Sequence, residues 1–520
     1  MLGIRNDVIT AATAKGNSRA RMVALTLALA IAGAAASAHA APSCTDLAKF
    51  AMPGHKLVIR KAENLAAAES VPAHCRVEGV IDERTGRNGK SYGIGFAVAL
   101  PAKWNGHFLF QGGGGLNGSV QPPLGAAFSG ERSALARGFA VASTDSGHQA
   151  TGFDATFMDD QQAALNFLFQ GVAEVTVVAK QIVAQHYRKP VGHAYFVGCS
   201  TGGREAMMMS QRFPDYFDGI VAGAPAMRTS FSNLGLRFAA TALNAIAPPD
   251  ASGKPQTRAA LSDADRQLII NGVLESCDAT DGNKDGFIAA PQNCHFDPGT
   301  LACGGAKNER CLTSGQVTAV RQIMTGPRTP SGRQVYPGYF FDTGIANTRG
   351  LPGILAGPFI PEGAASSLTL DVDAAAAEAM SARAMLGDSN AWTNLSSFRG
   401  HGGKLIFFHG VSDPWFSAQD TVQYYERLGH DNAEVPLADW SRLFLVPGMG
   451  HCGGGERALD HFDMLGAIVE WVENGRAPAS VTATGTSAAG ESRPLCPWPA
   501  HGHYSGNGDA RDATNYTCKN

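Results

Sequence analysis

Residues 194–212 read Ala-Tyr-Phe-Val-Gly-Cys-Ser-Thr-Gly-Gly-Arg-Glu-Ala-Met-Met-Met-Ser-Gln-Arg. Ala194–Gly198 is a short apolar run of strand type, and Thr201–Arg212 has the composition and spacing of a helix. Between them lies Gly198-Cys199-Ser200-Thr201-Gly202, a G-x-S-x-G match. A strand before and a helix after are the context in which this turn lifts a serine hydroxyl into the open. In a chain with 62 glycines the motif alone is weak, and the plainer reading is an ordinary turn serine. Its setting makes Ser200 a candidate nucleophile.

Working outward, the same alternation extends on both sides. His107–Gln111 reads as a strand ending in Gly112–Gly115, Gly138–Ser143 as a strand ending in Thr144–His148, and Gly219–Ala222 as another. Gln161–His186 is long, apolar-periodic and free of Pro, hence a helix. Strands alternating with helices imply a mostly parallel sheet covered on both faces. From 227 to 398 the pattern breaks into a stretch rich in Gly and Pro with four cysteines. Lys404–Phe408 restores it, followed by a helix at Ala418–Leu428, a strand at Arg442–Val446 and a helix at His461–Asn474. The expected architecture is an α/β-hydrolase fold, its catalytic domain formed by 41–226 and 399–520 and interrupted by a lid domain at 227–398.

A serine hydroxyl needs a base, and the base needs an orienting carboxylate. In this architecture they follow in the order Ser, Asp or Glu, His, on loops after later strands. Lys404–Phe408 leads into His409-Gly-Val-Ser-Asp413, and Arg442–Val446 into Pro447-Gly-Met-Gly-His451. Asp413 and His451 are therefore the expected acid and base; the plainer readings are a helix cap and a loop histidine. His148 and His409 precede Asp413, break the order, and are expected as substrate contacts. The oxyanion needs preorganised N–H donors: Thr201, heading the helix, and a glycine of the run 112–115, for which Gly114 is chosen. A phosphate-binding loop is excluded there by the lack of a G-x-x-x-x-G-K-[ST] match.

Composition sets the remaining bounds. The 520 residues are 44% hydrophobic and 17% charged, with a net charge of -3, which gives no reason to expect a nucleic-acid partner. Arg5, Lys15, Arg19 and Arg21 precede an apolar stretch ending in Ala38-His39-Ala40, the pattern of a cleaved export signal. The stretch is too short for a stable membrane anchor, so the expected location is secreted, periplasmic or extracellular, after cleavage near Ala40. All ten cysteines follow that point, and in an oxidising compartment they read as disulfides. Cys277 with Cys294, Cys303 with Cys311 and Cys496 with Cys518 would close short loops, and Cys44 with Cys75 is a plausible N-terminal pair. Cys199 and Cys452 are left beside Ser200 and His451.

Together these residues resemble the tannase and feruloyl esterase family, which includes bacterial mono(2-hydroxyethyl) terephthalate hydrolases. The likeness rests on Cys199-Ser200, Asp413 and His451-Cys452. It rests also on Gly198–Arg204, on Gln211-Arg-Phe-Pro-Asp-Tyr-Phe-Asp-Gly-Ile220 and on Ala222-Gly-Ala-Pro225. The resemblance implies a Cys199–Cys452 disulfide, which would hold nucleophile and base in register across a long sequence gap. It also bears on the insertion. Asp281-x-Asn283-x-Asp285-Gly286 looks like the start of an EF-hand loop, but the bidentate Glu expected at position 12 is Gln292. The plainer reading is an Asp/Gly-rich surface turn. Asp278 would supply the missing carboxylate, and the resemblance implies a structural Ca²⁺ on the side chains of Asp278, Asp281 and Asp285 and the carbonyls of Asn283 and Phe287.

The expected activity is carboxylic ester hydrolysis through an acyl-enzyme on Ser200. The resemblance implies feruloyl and other hydroxycinnamoyl, galloyl or terephthaloyl monoesters as substrates. Phe340, Phe341, Phe359, Trp392, Phe398 and Arg399 of the insertion are offered as pocket lining. No organic cofactor and no obligate protein partner is expected. The rivals are a serine peptidase on the same fold and a non-catalytic, calcium-stabilised binding protein.

Overall fold

The apolar runs become the parallel centre of one sheet. In the computed structural model, which describes residues 43–87, 89–359 and 367–520, the central strands are β4 (His107–Gln111), β5 (Ala140–Thr144), β6 (His193–Cys199), β7 (Gly219–Gly223), β8 (Lys404–Gly410) and β9 (Ser441–Val446). They pair in parallel in the order β5-β4-β6-β7-β8-β9. Every residue of β5 and β7 is buried, as helices on both faces of a parallel sheet require.

Alternate side chains serve opposite faces. Phe108, Phe110, Phe196, Leu405 and Phe407 meet Val172, Val178 and Ile182 of the helix Gly171–Tyr187 in one core. Leu109, Tyr195, Val221, Ile406 and Phe408 meet Leu465, Ile468 and Trp471 of the helix Met464–Asn474 in the other. The sheet has three further strands that the sequence reading missed: β1 (Leu57–Leu65), β2 (His74–Thr85) and β3 (Ser91–Pro101). They are antiparallel and join the edge of the sheet through β3 and β5. β1 carries Arg60, Lys61 and Glu63 and has no buried residue, so it lacks the apolar continuity of the centre. The sheet is therefore mixed, nine strands with six parallel.

The expected helix from Gln161 is interrupted. A π-helical turn at Asn166–Gln170 precedes Gly171–Tyr187, and the buried Arg204 guanidinium donates to the carbonyls of Leu168 (2.7 Å) and Phe167 (3.1 Å). The widened turn gives those carbonyls to Arg204.

The described residues of the segment between β7 and β8 add no strand to the sheet. It is built from helices, chiefly Thr229–Asn244, Asp263–Cys277, Ser314–Thr325 and Val372–Ala379. Reciprocal caps start two of them, Ser262 with Asp265 and Thr313 with Gln316. Leu236, Leu243, Ile269, Val273, Val320 and Ile323 form a core of their own there. After Asn474 come two small hairpin sheets, Val481–Thr484 with Ser492–Leu495 and His501–Tyr504 with Tyr516–Lys519, neither of them read from the sequence. All five disulfides form as expected: Cys44–Cys75, Cys199–Cys452, Cys277–Cys294, Cys303–Cys311 and Cys496–Cys518. The leader 1–40 and its cleavage point lie outside the described residues.

Candidate active site

Ser200 sits between β6 and the helix Thr201–Arg212 with φ 63° and ψ −122°, a conformation non-glycine residues rarely adopt. The glycines of the motif make the turn sterically feasible. A Cβ on Gly202 would come within 2.7 Å of the Gly113 carbonyl, and one on Gly198 within 2.6 Å of Gly202. Backbone thus packs on backbone, and the serine side chain is carried to the head of the helix. There the first N–H groups have no partner inside the helix, and Thr201 supplies one of them.

The glycine loop after β4 lies opposite. Gly112 donates its N–H to Val197 (2.9 Å), and the Gly113 carbonyl accepts from Gly202 N–H (3.0 Å). Gly113 N–H is taken by Glu205 Oε2 (2.9 Å). Gly114 and Gly115 are left as the loop residues that donate to no described residue. The holder of this loop is Glu205, fully buried, whose other oxygen accepts from Asn117 Nδ2 (2.7 Å) and Ser146 Oγ (3.1 Å). Burial raises its carboxyl above the ordinary range in spite of the adjacent Arg204 charge and these hydrogen bonds. Glu205 is absent from the expected site residues; its signal in the sequence is the charged pair Arg204-Glu205 just after the Gly198–Gly202 turn, at the start of a helix whose next four residues are apolar.

Asp413 and His451 meet as expected. His451 Nδ1 lies 2.7 Å from Asp413 Oδ2, while Asp413 Oδ1 accepts from the N–H groups of Trp415 (2.8 Å) and Phe416 (3.1 Å). Burial alone would raise the Asp413 carboxyl. The charge of His451 and hydrogen bonds from His409 and His451 outweigh it and hold the carboxyl well below the usual range. Ser200, His451 and the Cys199–Cys452 disulfide all border one pocket of about 520 Å³. No hydrogen bond joins Ser200 to His451 in this geometry, as is common for the nucleophile–base pair before substrate binds.

Two expected substrate contacts are not in the pocket. His409 is fully buried behind Asp413, with Nδ1 on Thr421 Oγ1 (2.8 Å) and Nε2 shared between the Phe416 carbonyl (2.9 Å) and Asp413 (3.2 Å). Its side chain points into the fold, so it orients the acid. His148 is buried and stacked on Phe157 at 3.5 Å. Among the insertion residues offered as lining, Phe398 is core, Phe341 packs on Phe296, Phe340 faces Trp498, Arg399 pairs with Glu434 and Trp392 is exposed elsewhere. Phe359 alone reaches the mouth, 6.0 Å from Phe153 and 6.3 Å from Trp415 between ring centres. The walls are Leu109, Gln111, Ala127, Phe128, Phe153, Val197 and Trp415 beside the glycine loop. Apart from His451, no ionisable side chain lines the pocket among the described residues.

In the insertion, Asp278 folds back to accept from Asp285 and Gly286 N–H (3.1 and 3.0 Å), and the buried Asp281 accepts from Asn283 N–H (3.1 Å). Asp285 accepts from Asn283 Nδ2 (2.8 Å) and pairs with Arg493. Gln292 donates to the Pro499 carbonyl and takes no part. Among the described residues no group of three or more His, Cys, Asp or Glu forms a ready cage. The donors on this turn are all oxygen, the chemistry that suits a hard cation.

The sequence profile described as "Tannase and feruloyl esterase" matches residues 75–360 and 366–519. The chain belongs to the tannase and feruloyl esterase family. A mono(2-hydroxyethyl) terephthalate hydrolase of Piscinibacter sakaiensis is 37% identical over 521 residues, spanning 87% of this chain and 86% of that protein. Feruloyl esterase B of Aspergillus niger is 30% identical over 452 residues, spanning 81% and 82%. Among solved structures, an esterase from Aspergillus oryzae superposes with a TM-score of 0.74 at 26% identity, covering 92% of this chain and 99% of that one. This tannase-family protein is a carboxylic ester hydrolase.

Proposed function

We propose that it is a serine esterase in which Ser200 attacks the ester carbonyl, His451 takes and returns the proton, and Asp413 orients the imidazole and stabilises its charge. The N–H groups of Thr201 and Gly114 hold the oxyanion, and water releases the acyl-enzyme. The observation that carries this reading is the 2.7 Å Asp413–His451 bond bordering the same pocket as the strained Ser200 turn. Feruloyl and other hydroxycinnamoyl, galloyl and terephthaloyl monoesters are the candidate substrates. The apolar, aromatic walls favour the first two groups, because the free carboxylate of a terephthaloyl monoester would lose its water without gaining a cation. Residues 227–398 act as the lid domain through Phe359 at the mouth. The test is a panel of methyl ferulate, methyl gallate, chlorogenate and mono(2-hydroxyethyl) terephthalate, with fluorophosphonate labelling of Ser200. Hydrolysis of aminoacyl anilides in place of esters would identify a peptidase, and an unlabelled Ser200 a binding protein.

Export fits the five disulfides, and N-terminal sequencing of the exported protein should begin near Ala41. A structural Ca²⁺ is the second part of the proposal, held by Asp278, Asp281 and Asp285 with the carbonyls of Asn283 and Phe287. Its support is the oxygen-only donor set on one turn pinned by Cys277–Cys294. Calorimetric titration of the chelated protein should show uptake of one ion, and no uptake would end this reading.

A further inference from the structure

The insertion reaches under the loops that carry Asp413 and His451. Tyr336 Oη accepts from Ser417 N–H (3.0 Å), and Ser417 Oγ donates to the Gly338 carbonyl. Tyr339 Oη donates to the Pro414 carbonyl (3.3 Å). Deepest of these contacts is Asp342, which has no exposed surface. Its Oδ2 accepts from Ser412 Oγ (2.6 Å), one residue before Asp413, and from Gly448 N–H (2.8 Å), three residues before His451. Gly344, two residues on, donates its N–H to the same Ser412 Oγ (3.0 Å). One carboxylate oxygen therefore ties together the acid loop and the base loop.

The geometry around it is demanding. Ser412 N–H also donates to the Met449 carbonyl (3.0 Å), so the two loops lie side by side. A Cβ on Gly344 would meet Ser412 at 2.7 Å, and a Cβ on Gly410 would meet the Gly450 carbonyl at 2.2 Å. Asp342 Oδ1 is buried with no hydrogen-bond partner. A buried acidic group with an unpaired oxygen is expensive to keep, and neither the pocket wall nor the Asp413–His451 bond includes it. An apolar residue would fill the space at lower cost but could not accept from both loops.

We propose that Asp342 is a positioning residue for the triad: it fixes the spacing of the Asp413 and His451 loops, so that the base keeps its alignment as charge develops on it. The inference rests on the serine-triad reading. Because Asp342 is off the substrate path, its loss should lower kcat and leave KM nearly alone.

The test is steady-state hydrolysis of p-nitrophenyl and feruloyl esters by the full chain carrying Asp342→Ala, Asp342→Asn or Ser412→Ala, with melting temperatures measured in parallel. Asp342→Ala should lower kcat by about 10–100-fold with KM within about threefold. Asp342→Asn keeps an oxygen that can accept from Ser412 and Gly448, and should restore most of the loss. Ser412→Ala, which removes one of the two ties, should fall between them. Asp342→Ala with wild-type kcat and a lowered melting temperature would make the residue merely structural and overturn the proposal. If Asp342→Ala does not fold, Ser412→Ala decides: wild-type kcat there overturns it equally. Fluorophosphonate labelling of wild-type Ser200 separates the two failures, since an unreactive Ser200 sinks the triad reading itself, whereas a reactive Ser200 with indifferent Asp342 variants sinks only this inference.

Discussion

The two walls beside Ser200 bury carboxylates whose pKa values are pushed in opposite directions. On the glycine-loop wall, Glu205 accepts from Gly113 N–H, Asn117 and Ser146. Behind it, Asp145 accepts from Gly95 N–H (2.9 Å) and Gly147 N–H (2.8 Å). Burial raises both, Asp145 up to about 7. On the acid–base wall Asp413 is equally buried, yet the charge of His451 and hydrogen bonds from His409 and His451 hold it low. Burial is matched, and a cation stands beside Glu205 (Arg204) as beside Asp413; the direct hydrogen bonds of two imidazoles, His409 and His451, are what Asp413 has in addition, and they tip the balance. One wall uses acids as fasteners for backbone N–H groups, and the other keeps a negative charge ready for an imidazolium.

Changing each acid to its amide is the strongest way to break this contrast. Asp413→Asn removes the charge and presents an NH₂ where His451 needs an acceptor. We expect kcat to fall about 10⁴-fold, the scale of loss when a triad acid becomes an amide, measured with saturating methyl ferulate. Glu205→Gln substitutes a neutral group of the same shape and keeps an oxygen for Gly113 N–H, so kcat should change by less than about fivefold. Equal losses in the two variants would show that the walls do not differ as their partners imply.

A smaller effect tests how the walls are joined. Cys199 and Cys452 flank Ser200 and His451, so changing both to Ala releases one wall from the other. Turnover should drop by about 10–100-fold through misalignment, while circular dichroism shows the fold retained. Unchanged turnover would mean that the buried polar ties of Ser412, Gly448 and Asp342 align the acid–base wall without the disulfide.

The contrast also explains what could be read from the sequence. The Ser200 wall is local: strand, turn and helix follow one another within a single stretch, so the turn at Ser200 and the helix start at Thr201 were legible. Asp413 and His451 were legible as the ends of apolar strands. The pocket was not, because Phe128, Phe153 and Trp415 come from loops without periodicity, and aromatic content alone put Phe340, Phe341, Trp392 and Phe398 there wrongly. His409 was misplaced for a different reason. It belongs to β8, where alternate side chains point to opposite sides, and its own points away from the pocket. β1 escaped notice because a charged edge strand lacks the apolar runs that mark the buried centre, and β2 because its buried Val77 and Ile81 alternate with Arg76, Glu78 and Val80.

The finest test uses pH to sharpen the comparison. In the unfolded chain Asp145 loses its proton near the ordinary value of 3.8; in the fold it keeps it to about 7. Between those values the folded state binds the extra proton, so this residue's contribution to stability is complete below about 4 and is lost as pH rises toward 7. Asp413 carries the opposite sign: its contribution is present above the ordinary carboxylate range and lost as pH falls. Asp145→Asn cannot titrate. The melting temperature of the wild type minus that of Asp145→Asn should therefore decline by a few degrees from pH 4 to pH 7 and then level off. A difference that stays flat across that interval would place an ionised carboxylate on the glycine-loop wall, and the two walls would then be electrically alike.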